Sequence, residues 1–194
     1  LLDRAQPWSV TDLIDYSRAS TGSVYRGVEY LEPEELAVRD SDGRVAVPDW
    51  VALLRRWSED YQFARTNAIS RWIAPRGLDY LLSRIREGGE SDYAVTGTLA
   101  AARYAAYAPA RSAMIYVSDA QRAAKAWDLR SADSGVNVLL AEPAFPTLLD
   151  RLDIESGLKI VKPAQIAVDL MTGPGRSPAE AEQLVEWMRS HEQS

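Results

Sequence analysis

The sequence predicts an α+β protein in two parts, residues 1–60 and 61–194. Two short helical stripes and a hairpin signal fill the first part. In the second, apolar strand-like runs alternate with helical ones, the pattern of a central mixed sheet covered by helices. With 194 residues and 46% hydrophobic content, the chain has enough apolar material for a substantial core, in one large or two small domains.

In the first part, Ser9 placed three residues before Asp12 predicts a capped helix starting near Val10. Val10, Leu13, Ile14 and Ser17 form its stripe. "RAS" interrupts the pattern, and Ser20 or Thr21 suits the cap of a second helix. There Val24, Val28 and Leu31 face inward, Gly22, Ser23, Arg26 and Tyr30 face outward, and Tyr25 and Glu29 lie on the flanks. "LAVRDSDGRVAV" follows, two β-prone runs around a Ser-Asp-Gly-Arg turn. Helix, turn, helix, hairpin is the order of a winged helix-turn-helix, whose second helix enters the DNA major groove by its N-terminal residues while the hairpin touches backbone or minor groove. The preceding helix usual in this architecture falls in "LLDRAQ" or upstream of Leu1.

The residue types suit duplex DNA. Thr21, Gly22 and Ser23 are small enough for close approach, and the free amides of a helix start favour phosphate. Arg26 can fork onto a guanine edge, Arg44 at the hairpin tip can reach phosphate, and Arg18 in the turn is a further phosphate candidate. Against this stand Glu29, Glu32, Glu34, Glu35, Asp40 and Asp42, which make the segment locally acidic. A wing that binds only protein is therefore an alternative. The formal net charge of −6 argues against a nucleic-acid-coated protein but leaves room for a small basic face.

"PDWVALLRRWSEDYQFAR" predicts one amphipathic helix joining the two parts, with Trp50, Leu53, Leu54 and Trp57 in its stripe. "ISRWIA" predicts a strand and "PRGLDYLLSRIRE" a helix with Pro75 near its start. "YAVTG" and "AMIYVS" predict strands flanking an alanine-rich helix, and "VNVLLAE" a strand buried on both faces. "KPAQIAVDLMT" and "SPAEAEQLVEWMRS" predict closing helices, the last with Ser177 as N-cap, Pro178 in the first turn and Glu180 in a capping box.

Strand, Gly97-Thr98, helix, strand is how a nucleotidyltransferase begins its active site, so the second part is expected to be a nucleotidyltransferase-like α/β domain. That chemistry needs clustered carboxylates to hold two divalent ions. Between Asp92 and Asp119 there is no acidic residue. The expectation is scaffold without chemistry: no catalytic, metal or cofactor-binding residue. The alternative is an enzyme with rearranged carboxylates such as Asp119 and Glu142. "TGPGRS" lacks the lysine and spacing of a phosphate loop and predicts a helix-capping turn, with Arg176 as a surface or partner contact. His191, the only histidine, lies in a polar tail, which argues against a histidine-centred site.

The winged segment, "YAVTGTLAAARY", "IYVS", "NVLLAE" and "KPAQIAVDLMTGPGRSPAEAEQLVEWM" together resemble the AbiEi antitoxins of type IV toxin–antitoxin systems over most of the chain. The resemblance implies a bacterial, non-enzymatic regulator. Its winged helix-turn-helix would bind double-stranded DNA in the promoter of its own operon. Its second domain would counteract a cognate nucleotidyltransferase toxin without necessarily forming a stable complex. It adds Tyr25 to Ser23 and Arg26 as DNA-contact positions. The absence of cysteine excludes zinc fingers and thiol chemistry and fits a cytoplasmic protein, and no apolar run approaches the ~20 residues of a membrane span.

Overall fold

The computed structural model describes residues 1–2, 7–88 and 92–191. It divides into two compact units, Leu1–Glu59 and Asp60–Ser194. Both combine helices with sheet, and the second contains a mixed seven-stranded one.

The first unit runs α1 (Val10–Ser17), α2 (Thr21–Leu31), a 3₁₀ turn (Glu32–Glu34), β1 (Val38–Arg39), β2 (Val45–Ala46) and α3 (Trp50–Asp60). Ser9 caps α1 by accepting the Asp12 amide at 3.0 Å, and Ser20 caps α2 by accepting that of Ser23 at 3.2 Å. Both satisfy amides that a helix start otherwise leaves without partners. Asp40 shapes the hairpin: its Oδ1 accepts the amides of Asp42 and Arg44 at 2.9 and 2.8 Å, and Gly43 takes the positive φ of 75° that closes the turn. Trp8 bridges Val45 through a reciprocal pair of backbone hydrogen bonds, 2.8 and 2.7 Å, laying an extended segment beside the hairpin. Trp8, Leu13, Val28, Ala37 and Val45 form one buried cluster and Leu36, Val47 and Leu53 another. Leu1 and Leu2 pack against this core; the rest of "LLDRAQ", one of the two places expected to hold a preceding helix, lies outside the described residues.

The second unit holds α4 (Phe63–Thr66), β3 (Ala68–Ile73), α5 (Leu78–Glu87), β4 (Tyr93–Thr96), α6 (Gly97–Ala101), β5 (Ala113–Val117), α7 (Ala120–Ala126), β6 (Arg130–Ser131), β7 (Val138–Glu142), β8 (Leu152–Glu155), β9 (Leu158–Val161), α8 (Pro163–Met171) and α9 (Ser177–His191). The strand order is β6-β3-β7-β5-β4-β9-β8, with β4–β9 and β5–β7 parallel and the remaining neighbours antiparallel. Strand alternation sorts the central side chains. Thr96 and Tyr116 meet Asp169 of α8, while Tyr93, out of phase with Thr96, packs edge-on to Trp127 beyond α7. The sheet is thus covered on both faces.

Several expectations need correction. The joining helix stops at Asp60 and α4 begins separately, because the chain turns extended at Gln62 (φ −136°) and Tyr61 is drawn into a buried hydrogen-bond cluster. The alanine-rich helix is only Gly97–Ala101, followed by turns that set Tyr104 against Trp187 of α9 with ring centroids 4.8 Å apart. Pro75 lies in a turn before α5, which opens after Gly77. Ser177 is the first residue of α9 and buried, so the backbone carbonyl of Arg176 takes the capping place, accepting the amides of Ala179 and Glu180. The sequence reading missed α7, β6 and the β8–β9 hairpin. That hairpin turns through Ser156 and Gly157, both at positive φ (52° and 75°).

Candidate functional site

The first turn of α2 gathers three of the sequence candidates. Thr21, Ser23 and Arg26 are all exposed there. Ser20 and Ser23 share a hydroxyl–hydroxyl hydrogen bond at 2.9 Å, and Arg26 donates from Nη2 to Ser23 Oγ at 3.4 Å. A Cβ on Gly22 would stand 3.4 Å from Arg26 Nη1. The guanidinium therefore folds back over the start of its own helix. Arg18, exposed in the preceding turn, is the left-handed C-cap of α1 (φ 55°), and its amide donates to Ile14 O at 2.9 Å. Tyr25 is 40% exposed. Arg44 sits exposed at the hairpin turn, its backbone fixed by Asp40.

The local acidity turns out to be partly compensated. Arg39 of β1 reaches Glu32 (Nε–Oε1, 2.8 Å), and its guanidinium carbon lies 5.5 Å from the Tyr25 ring centroid. Arg56 of α3 reaches Glu34 (Nε–Oε2, 2.9 Å), contacts the Tyr30 hydroxyl, and approaches Glu59 at 3.8 Å. Each flank of α2 thus carries a tyrosine, an arginine and a glutamate. Sequence reasoning missed both arginines, since only tertiary packing brings Arg56 to Glu34, 22 residues away. Among the described residues, no carboxylate pairs with the guanidinium of Arg26 or Arg44.

In the second unit, Gly97 joins β4 to α6 at a positive φ of 63°, and a Cβ there would fall 2.8 Å from Met114 Sδ. The β5 side chains on the Gly97 and Asp169 side, Met114 and Tyr116, carry a thioether and a phenol. Asp119 and Glu142 converge on one helix start: Asp119 Oδ1 accepts the Arg122 amide and Glu142 Oε1 the Ala120 amide, both at 2.9 Å. Among the described residues no group of three potential metal ligands occurs. Arg176, expected as a surface or partner contact, is exposed at the surface and held by contacts within its own unit. It ion-pairs with the buried Glu180 at 2.7 Å and donates to Pro109 O at 2.6 Å, while Thr98 Oγ1 donates to the other Glu180 oxygen at 2.5 Å. His191 stacks on Trp187, ring centroids 4.2 Å apart.

Sequence reading also missed a buried polar cluster around Asp169. Its carboxylate accepts from Thr96 Oγ1 (2.5 Å), Tyr116 OH (2.8 and 2.9 Å) and Gln165 Nε2 (2.9 Å). Tyr116 in turn shares a 2.6 Å hydrogen bond with Tyr61, whose hydroxyl accepts from Asn67 Nδ2 at 2.8 Å. Burial pushes the Asp169 carboxyl up to about 6, against the lowering pull of hydrogen bonds from Thr96, Gln165 and Tyr116. Burial and the Asp169 charge push the phenols of Tyr61 and Tyr116 upward as well. The cluster joins the segment after α3 to β4, β5 and α8, and its polar atoms satisfy one another.

No helix among the described residues is long and apolar enough to cross a membrane. No family model, curated protein or solved structure matches the chain.

Proposed function

We propose that this chain is a bacterial DNA-binding transcriptional regulator whose first unit is a winged helix-turn-helix. We further propose that it acts as an AbiEi-type antitoxin, repressing its own operon from the cytoplasm and counteracting a nucleotidyltransferase toxin through a second unit of degenerate nucleotidyltransferase type. The observation that supports DNA binding best is the placement of Arg26. A guanidinium over the first turn of a helix sits at the positive end of the macrodipole, where a cation is disfavoured. An anion or acceptor set between the amides and the guanidinium reverses that balance, and a DNA phosphate or the O6/N7 acceptor edge of guanine supplies one. The order α1, α2, β1–β2, with Trp8 bridged to the hairpin, supports the same reading. For the second unit, the support is Met114 packed over Gly97, the use of Asp119 and Glu142 as helix caps, and the burial of the two carboxylates beside Gly97, Asp169 against Thr96 and Glu180 against Thr98 and Arg176.

The test is fluorescence anisotropy of the full chain on duplex DNA from upstream of its own gene, with competitor DNA and a salt series. Specific binding that weakens with salt is expected, and Arg26→Ala should cost about 1–3 kcal/mol on that site and relax its specificity. Absence of specific binding at low salt refutes the reading.

A further inference from the structure

Resting on the DNA-binding reading, we infer that Arg39 is an additional phosphate contact of the first unit and that Glu32 acts as its internal counter-anion, holding DNA affinity below what the surface could deliver. The geometry separates the two flanking arginines. Arg56 is enclosed: its side chain is 19% exposed and contacts Glu34, Glu59 and the Tyr30 hydroxyl. Arg39 is more open, 29% exposed, with Glu32 as the carboxylate paired to it and the face of Tyr25 beside it. It also stands on β1, one residue before the hairpin turn that starts at Asp40, and against the flank of α2. On the DNA-binding reading, these are the two elements that meet the duplex.

A planar guanidinium donates to a phosphate oxygen as readily as to a carboxylate oxygen, with the same donor fork. Glu32 and a DNA phosphate therefore compete for one set of donors. Tyr25 keeps the guanidinium in place through either pairing, because a cation over a ring face leaves the N–H edge free to bond. Breaking the exposed Arg39–Glu32 pair costs the fold little, so the exchange lies within reach of a binding event. Glu32 then sets a ceiling on sequence-independent affinity, and raises the weight of base contacts such as that proposed for Arg26.

The experiment is a double-mutant cycle on DNA binding with the full chain. Wild type, Glu32→Gln, Arg39→Gln, the double variant and Glu34→Gln are titrated against the upstream duplex and against a scrambled duplex of equal length, across a salt series. Glu32→Gln is expected to tighten binding to both duplexes roughly fivefold and to steepen the slope of log K against log salt by about 0.9. The gain should vanish in the Arg39→Gln background. Glu34→Gln, which changes net charge by the same amount beside the enclosed Arg56, should leave the slope unchanged.

Equal effects of Glu32→Gln and Glu34→Gln, or a gain that survives Arg39→Gln, would overturn the assignment and leave only a general charge effect. A loss of affinity in Glu32→Gln would overturn it too, by making the pair a structural clamp. If the wild type binds neither duplex, it is the DNA-binding reading itself that fails. Thermal melts of each variant check that folding is intact, and an unfolded Glu32→Gln would count against the proposal because it contradicts the small cost of breaking the pair.

Discussion

Replacing Asp169 by asparagine tests the buried cluster where its electrostatics are most exposed to measurement. The carboxyl is fully buried and pushed from an ordinary value of 3.8 up to about 6. A raised value means that the folded state binds the proton more tightly than the unfolded one. The resulting stabilisation is fully present below pH 3.8 and is lost as pH rises through about 6. At about 1.36 kcal/mol per pH unit, that interval is worth roughly 3 kcal/mol. Between about pH 4.5 and about pH 7.5, roughly 2 kcal/mol of it should disappear from the wild type. Asp169→Asn keeps the shape and removes the titration. Its amide nitrogen can donate to a hydroxyl of Thr96 or Tyr116, both of which can rotate to accept. Urea unfolding of both proteins across this pH range, with near-UV circular dichroism to verify packing, gives the answer. Other carboxylates titrate equally in both chains, so the difference between the two profiles isolates position 169. The variant should gain on the wild type by about 2 kcal/mol from the acid end to the neutral end. Parallel profiles would refute the reasoning, by showing that Asp169 titrates no differently in the folded and unfolded chain.

Two further substitutions probe single glycines. Gly27 lies inside α2 on an ordinary helical backbone, with nothing within 4 Å of the place a methyl would take. Gly27→Ala should therefore stabilise the chain by about 0.5–1 kcal/mol in a thermal or urea melt. No gain would mean that α2 departs from regular helix at that point. Gly97→Ala should destabilise by roughly 1–3 kcal/mol, since the new methyl meets Met114 Sδ at 2.8 Å on a backbone at φ 63°. Adding Met114→Ala should not restore the loss, because the strain of the positive φ remains and a cavity is added; full recovery would count against that strain.

Local chemistry was legible in the sequence where it acts over a few residues. Ser9 before Asp12 is read from spacing, and Ser20 or Thr21 as the second cap from residue type; the structure shows the Ser9 bond and gives the second cap to Ser20. "VNVLLAE" reads as a buried strand because its apolar run is continuous, and β7 lies inside the sheet between β3 and β5. The β8–β9 hairpin escaped although Ser156-Gly157 between "LDIE" and "LKIV" is a turn signal; its strands are only four residues each. Arg39 and Arg56 could not be assigned, since an arginine in an exposed strand or helix looks alike whether solvated or paired. Asp169 did leave a trace. A lone acid inside "AQIAVDLM" is out of place on a helix that proves buried at Ala164 and from Ile166 to Leu170. Its partners Thr96 and Tyr116 lie 73 and 53 residues away, so the trace pointed to burial without naming what satisfies it.

Those separations also govern the order in which the chain can acquire its structure. Among the described residues, the longest backbone bridge of the first unit is Trp8 to Val45, a smaller separation than Val95 to Ile160 in the second, and contacts of smaller separation form earlier. In the second unit, β4 lies between β5 and β9, and its parallel pairing to β9 joins Val95 to Ile160. Asp169, supplied by the helix after β9, then closes the hydroxyls of Thr96 and Tyr116. A chain growing from the ribosome therefore presents a folded first unit while the apolar face of β4 and β5 still waits for its cover. Synthesis interrupted before α8 would release a polypeptide with a folded first unit and an open sheet, a natural client for chaperones and proteases.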